Sequence, residues 1–312
     1  MTTRAAGEPP GACTRAAYAV FHACNHEVQE EYWTSHGNCI NISPSEEKKD
    51  CHEESSEEAG EGIELCREQR TARLALCDSV GEDPYEPDFS PENFVDPLEI
   101  GDSVAPNPYF PLRPGTRWVY EKASLDDDEQ EVIETITVVV TDKVKVIEGV
   151  SCLVVNDLVE EDGVSVEDTD DWYAQDLEGN VWYCGEIAKN YETFEGDDPE
   201  EAELVDIEGS WKAGRDRAKP GILVKRHPAV GDVYRQEVFL GDAEDVAEVV
   251  EIDGTETTPA ASCTNDCLVT REYTPIEPGI HELKYYAPGI GLILGTDMEG
   301  GREELVEFHP AP

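Results

Sequence analysis

Cys39-Ile-Asn-Ile-Ser-Pro-Ser-Glu-Glu-Lys-Lys-Asp-Cys51 is the stretch on which the reading of the fold turns. Its two cysteines are equidistant from Ser45, and the symmetry continues outward. Cys24 with Cys66, and Cys13 with Cys77, also have position numbers that sum to 90. The spacings are 11 and 15 residues on the way in and 15 and 11 on the way out. At about 100° per residue these return a helical side chain to within roughly 20° and 60° of its starting direction. Each arm therefore shows its cysteines along one stripe, as two antiparallel helices joined by three rungs require. Another of the connectivities open to six cysteines, or metal ligation, is the alternative. No Cys-x2-Cys pair is present to clamp zinc.

A partner sum of 90 also sets Ala17 near Arg73, Val28 near Gly62, Tyr32 near Glu58 and Trp33 near Glu57. Bulky residues on the first arm then meet Ser55, Ser56, Ala59, Gly60 and Gly62 on the second. Gly37 and Asn38 are placed to end the first helix. Ser43, Pro44 and Glu46 read as N-cap, first-turn proline and capping-box glutamate of the second. This hairpin, residues 12–80, has few large apolar side chains, so disulfides must substitute for a deep core.

An even count of 10 cysteines at ladder spacing points to an oxidising compartment, so the chain is expected to be secreted, extracellular or at the cell surface, with the periplasm possible. Thr2 to Gly11 is polar and holds Pro9 and Pro10 in place of an apolar signal segment, which reads as a mature form. No apolar run is long enough to span a bilayer, so no membrane insertion is expected.

The 71 acidic residues against 23 basic ones give a formal net charge of −48. Such a surface repels nucleic acid and anionic lipid and attracts cations. The carboxylates are either simply hydrated or, in places, ligands for Ca²⁺, which takes oxygen from carboxylates, carbonyls and water. Four clusters are the metal candidates: Asp126, Asp127, Asp128 and Glu129 at a hairpin tip; Asp168, Asp170 and Asp171 near the next turn; Asp197, Asp198 and Glu200 in a Gly-Asp-Asp-Pro-Glu loop; and Asp242, Glu244 and Asp245 after Gly241. None has EF-hand spacing. The loop at Asp197 ranks first, because Gly196 and Pro199 can fix a tight turn that exposes carbonyls beside carboxylates.

Residues 81–108 hold six prolines among acids and small residues, an extended connector that Tyr85, Phe89, Phe94 and Leu98 anchor. From Tyr109 the periodicity changes to that of strands. Runs at 116–120, 131–146, 152–159, 172–175, 181–183, 233–239, 247–252, 268–273, 282–286, 291–294 and 304–308 are β-branched or aromatic and bounded by turn residues. The fold class is therefore α+β: an N-terminal antiparallel helical hairpin cross-linked by disulfides, then a large antiparallel β domain over 109–309, a sandwich or partly open barrel. Asp176 to Asn180 reads as a hairpin loop with Gly179 in the left-handed position. Tyr173 and Gln175 alternate with Trp172 and Ala174, giving that ribbon two distinct faces. Cys152 and Cys184 would staple two strands, and Cys263 and Cys267 close a short loop, with a redox pair as the alternative.

Asn107-Pro-Tyr-Phe-Pro-Leu-Arg-Pro-Gly-Thr-Arg-Trp-Val-Tyr-Glu121, Asp171-Trp-Tyr-Ala-Gln-Asp-Leu-Glu-Gly-Asn-Val-Trp-Tyr-Cys-Gly-Glu186, Gly209-Ser-Trp-Lys-Ala-Gly214, Tyr234-Arg-Gln-Glu237 and Tyr285-Tyr-Ala-Pro-Gly-Ile-Gly-Leu292 together resemble a family of uncharacterised secreted bacterial proteins. The resemblance covers most of residues 81–308. It implies an exported, mostly β protein and brings no reaction or catalytic residues.

Sites of chemistry are scarce. There is no Gly-x-Ser-x-Gly elbow, no His-Glu-x-x-His helix and no phosphate loop. Gly101-Asp-Ser-Val104 is similar to an esterase nucleophile block but lies in the connector, with no elbow to hold Ser103. Gly289-x-Gly291 lacks the helix a dinucleotide site needs. His22 and His26 are spaced to ligate a metal from one helix face, yet the register sets them near Glu68 and Glu64, where ion pairs fit better. Trp172, Trp182, Trp211, Tyr183 and Tyr234 are candidates to line a sugar or lipid pocket. The composition best fits a non-catalytic extracellular structural or assembly protein that binds Ca²⁺ through acidic loops and associates with itself or another surface protein. The alternatives are a small-molecule-binding β module of the cell envelope and a secreted hydrolase using paired carboxylates.

Overall fold

The computed structural model describes residues 9–125, 131–194 and 196–312. They form two compact units, one running to Tyr85 and including Pro275–Gly279, the other Glu86–Thr274 with Ile280–Pro312.

In the first unit α1 (Ala12–Ile40) and α2 (Ser45–Val80) are joined by Cys13–Cys77, Cys24–Cys66 and Cys39–Cys51, with Cα separations of 5.7, 5.8 and 5.7 Å. The same register runs between the rungs. The Ser35 and Ser55 hydroxyls are 2.6 Å apart, and a Cβ on Gly62 would lie 2.9 Å from Val28 Cγ2. Only Ala17, Val28 and Cys39 are buried on α1. Cross-links and close small-residue contacts, more than a core, hold the pair. Gln69 Nε2 donates to the Ile276 carbonyl at 2.9 Å, tying 275–279 to α2.

The helix ends differ from expectation. α1 passes through Gly37 and Asn38 because the Cys39–Cys51 rung lies beyond them and Lys48 Nζ donates to the Ile40 carbonyl at 2.8 Å. Pro44, with extended ψ of 131°, is itself the N-cap of α2 and no side chain caps it. Its carbonyl accepts from Lys48 N at 3.1 Å. Ser43 therefore stands outside the helix.

The second unit is a nearly closed antiparallel barrel. Its strands are β1 (Arg117–Leu125), β2 (Glu131–Ile147), β3 (Val150–Glu161), β4 (Val164–Gln175), β5 (Val181–Ile187), β6 (Asn190–Glu192), β7 (Glu203–Asp206), β8 (Lys219–Val224), β9 (Val233–Arg235), β10 (Glu237–Val238), β11 (Val246–Thr257), β12 (Ser262–Tyr273), β13 (Glu282–Ala287), β14 (Gly291–Thr296) and β15 (Arg302–His309). The hydrogen-bonded order is β10-β8-β5-β4-β3-β2-β1-β15-β14-β13-β12-β11-β9, with β6 and β7 off this path. The two ends of the order, β9 and β10, are separated in sequence by Gln236 alone, so one bent segment pairs with β11 on one side and β8 on the other. Gly221 on β8 permits this. A Cβ there would run into the Gln236 and Arg235 carbonyls.

Phe89 and Phe94 of the connector meet edge to face at 4.9 Å and both lie 6.0 Å from the Trp182 ring, while Leu98 stays exposed. Cys152–Cys184 ties β3 to β5, and Cys263–Cys267 lies within β12.

The barrel interior has two parts, set by strand alternation. Trp118, Val140, Leu153, Val155, Val249, Leu268, Ile293 and Leu305 form an apolar floor. Further along the same faces the inward positions turn polar: Tyr120 on β1, Asp157 on β3, Thr169, Asp171 and Tyr173 on β4, and Thr270 and Glu272 on β12.

Candidate functional site

The expected cluster of Asp168, Asp170 and Asp171 is no turn. It lies inside β4, whose alternation divides it. Asp168 and Asp170 share one face, where Asn156 Nδ2 donates to Asp168 Oδ1 at 2.7 Å and Lys189 Nζ pairs with Asp168 Oδ2 at 2.7 Å. Lys189 and Asn156 hold the Asp168 carboxyl below the usual range. Asp171 turns inward and is buried.

Asp171 stands directly opposite Glu186 in the β4–β5 ladder. Residues three apart on a strand normally face opposite ways. A bulge at Gly185, with φ of 127°, re-phases β5 so that Tyr183 and Glu186 point to the same face. A side chain at 185 would meet the Trp211 carbonyl, which accepts from Glu186 N at 2.8 Å. The Tyr183 hydroxyl then meets both carboxyls: it bonds to Asp171 Oδ1 and lies 2.8 Å from Glu186 Oε2. One phenolic hydrogen cannot serve both contacts, so a second proton belongs on the pair.

The electrostatics agree. Burial pushes Asp171 up to about 7, with the Tyr183 hydrogen bond opposing. Burial, and then the Asp171 charge, pushes Glu186 up to about 8. Asp157, which lies opposite Thr169 and diagonal to Asp171 and Glu167, is raised well above the carboxylate range by burial and by the Asp171 charge. Glu237, from the closing segment, is raised by burial and by Asp245, Glu186 and Asp171. None of Asp157, Asp171, Glu186 and Glu237 has an ion-pair partner among the described residues. Asp157 Oδ1 is shut off from water and has no hydrogen-bond partner there. The buried Trp211 indole N–H lies beside Glu237 and opposes the rise of that carboxyl. Rings complete the wall: Tyr173 and Tyr183 at 4.6 Å, Tyr183 and Trp211 at 5.4 Å, Phe110 and Tyr173 at 5.2 Å. Asp157, Glu167, Glu186 and Glu303 are only partly buried as whole residues.

The neighbouring part of the interior is different. Glu272 accepts from Thr270 at 2.8 Å and Tyr286 at 2.9 Å, and Lys284 Nζ is 3.0 Å away. Burial would raise this carboxyl, yet the Lys284 charge and these bonds outweigh it and hold it below the usual range. Glu272 is neutralised, and the Asp171 group is not.

Asp197 and Asp198 lie in an exposed turn where Glu200 Oε1 accepts from Gly196 N at 3.0 Å. Asp242 is raised by burial and by Glu244, whose Oε1 accepts from Gly241 N; Asp245 follows on the same loop and acts on Glu237. Asp126 and Asp128 lie outside the described residues. Among the described residues no three His, Cys, Asp or Glu side chains are arranged to hold a metal ion, and no helix is long and apolar enough to cross a membrane. His22 and His26 are exposed on α1, and Glu64 pairs with Arg67 at 2.5 Å. Ser103 donates to Glu99 at 2.8 Å on the surface. Of the aromatic candidates, Tyr183, Trp211 and Tyr234 are buried on the barrel interior. Trp172 lies under Lys145 Nζ at 3.2 Å and Trp182 against the connector.

Sequence reading missed Asp157, Glu186 and Glu237 as site residues. The available signal was the parity of Asp171, Tyr173 and Gln175. No family model, no curated protein and no solved structure matches the chain.

Proposed function

We propose that this chain is an extracellular, disulfide-stabilised β-barrel protein that binds a small organic cation in its acid-lined interior. The observation that carries the reading is the Asp171–Tyr183–Glu186 group, flanked by Asp157 and Glu237 and lacking a neutralising partner. Buried carboxyls without counter-charge cost stability. A purely structural role has no use for them, whereas a cationic ligand would supply the missing charge. The surrounding tyrosine and tryptophan rings favour an ammonium over a calcium ion. Backbone carbonyls, which often complete a Ca²⁺ shell, are committed to the ladder in strands.

Calorimetry near pH 7.5 with choline, putrescine, CaCl₂ and the uncharged carbon isostere of choline tests this. Choline or putrescine is expected to bind and to release protons, because a bound cation favours the ionised carboxyls. Binding should vanish in Asp171→Asn/Glu186→Gln. Equal binding of the isostere, or retention in the double variant, overturns the reading; binding of Ca²⁺ alone would return the site to a metal.

A further inference from the structure

We propose that His36 and His52 form a two-imidazole site for a divalent transition metal of the Cu²⁺, Ni²⁺ or Zn²⁺ class, held between the helices at the closed end of the hairpin. The two rings belong to different helices, and their centroids are 4.3 Å apart with planes inclined by 38°. Imidazoles sharing one ion hold their donor nitrogens about 2 Å from it and so about 3 Å from each other. The 4.3 Å ring separation places two imidazoles from different helices within reach of one ion.

The backbone is already braced. His36 precedes Cys39 by one helical turn, His52 follows Cys51, and the rung between those cysteines clamps both. The Ser35–Ser55 contact fixes the register next to them. A site assembled before the ion arrives loses little entropy on binding. His52 Nδ1 is shielded from water and has no hydrogen-bond partner among the described residues, leaving a buried ring nitrogen unsatisfied. An ion shared with His36 would remove that cost. His52 borders a surface depression, and water can complete the coordination of the two imidazoles. Imidazole ligands suit this class of ion and not Ca²⁺. The strongly acidic chain raises the local concentration of any cation.

Trp33 provides the readout, since its ring lies 5.7 Å from that of His36 and the residue is 63% exposed. Titration of the intact protein with CuCl₂ should give saturable, one-to-one quenching of Trp33 fluorescence, assigned by its loss in Trp33→Phe. His36→Ala and His52→Ala should each weaken Cu²⁺ binding at least tenfold, as measured by calorimetry and by loss of nitrogen coupling in the electron paramagnetic resonance spectrum. His22→Ala/His26→Ala should leave both unchanged. Circular dichroism melts confirm that the variants keep the hairpin. Unchanged affinity in both single variants, or its loss in His22→Ala/His26→Ala, overturns the proposal.

Discussion

Asp171 and Glu186 oppose each other through one phenol, and their protons set a pH dependence with a definite sign. Their folded-state values, about 7 and about 8, lie above the ordinary 3.8 and 4.5. The folded protein therefore binds more protons than the unfolded chain between these limits, and its stability falls as pH rises through them. Below the ordinary carboxylate range the penalty is absent, and above about pH 8 it is complete. Scanning calorimetry should show the β unit losing on the order of 5 °C in Tm between pH 5 and pH 8.5. Asp171→Asn should flatten that slope and match or exceed the parent at pH 8.5. Lys284→Met should behave oppositely. It leaves the Glu272 charge with the Thr270 and Tyr286 hydrogen bonds but no ion-pair partner, at a cost of about 3 kcal/mol at neutral pH, read as a lower urea midpoint. Asp171 was legible in sequence as an acid, but its neighbours Asp168 and Asp170 made it look like part of a solvated turn. Acids are poor strand formers, and the interior of the barrel overrode that preference.

At the scale of elements, the hairpin was readable almost in full, because helical periodicity turns linear spacing into a stripe. Cys24→Ala/Cys66→Ala closes no loop in place of the 42-residue one and should cost about 3 kcal/mol, seen as an earlier loss of helical circular dichroism. Gly62→Ile drives a side chain into Val28 and should lower the same transition by about 1–3 kcal/mol. The strand runs were readable where they alternated. β4 was cut short by its acids, and β6, β7 and β8 were missed, being short or interrupted by Pro220 and Gly221. The bulge at Gly185 was invisible too, since a glycine in a strand does not announce which way it shifts the phase.

For the whole molecule, a net charge of −48 implies self-repulsion that salt relieves. Tm should rise by several degrees between about 10 mM and 500 mM NaCl. The outer-face acid Asp168 already has Lys189 and Asn156, so CaCl₂ and MgCl₂ at equal ionic strength should give equal melting temperatures. A calorimetric excess for Ca²⁺ would point back to the loops at Asp197 and Asp242. By itself the sequence determined the helical ladder, the antiparallel β character of the remainder and a disulfide-bonded, acidic chain, because each depends on local periodicity or composition. Only the tertiary structure decided which acids turn inward. Asp157, Asp171, Glu186 and Glu237 converge through strand register, one bulge and closure of the barrel. Those are relations between distant segments, and no local pattern encodes them.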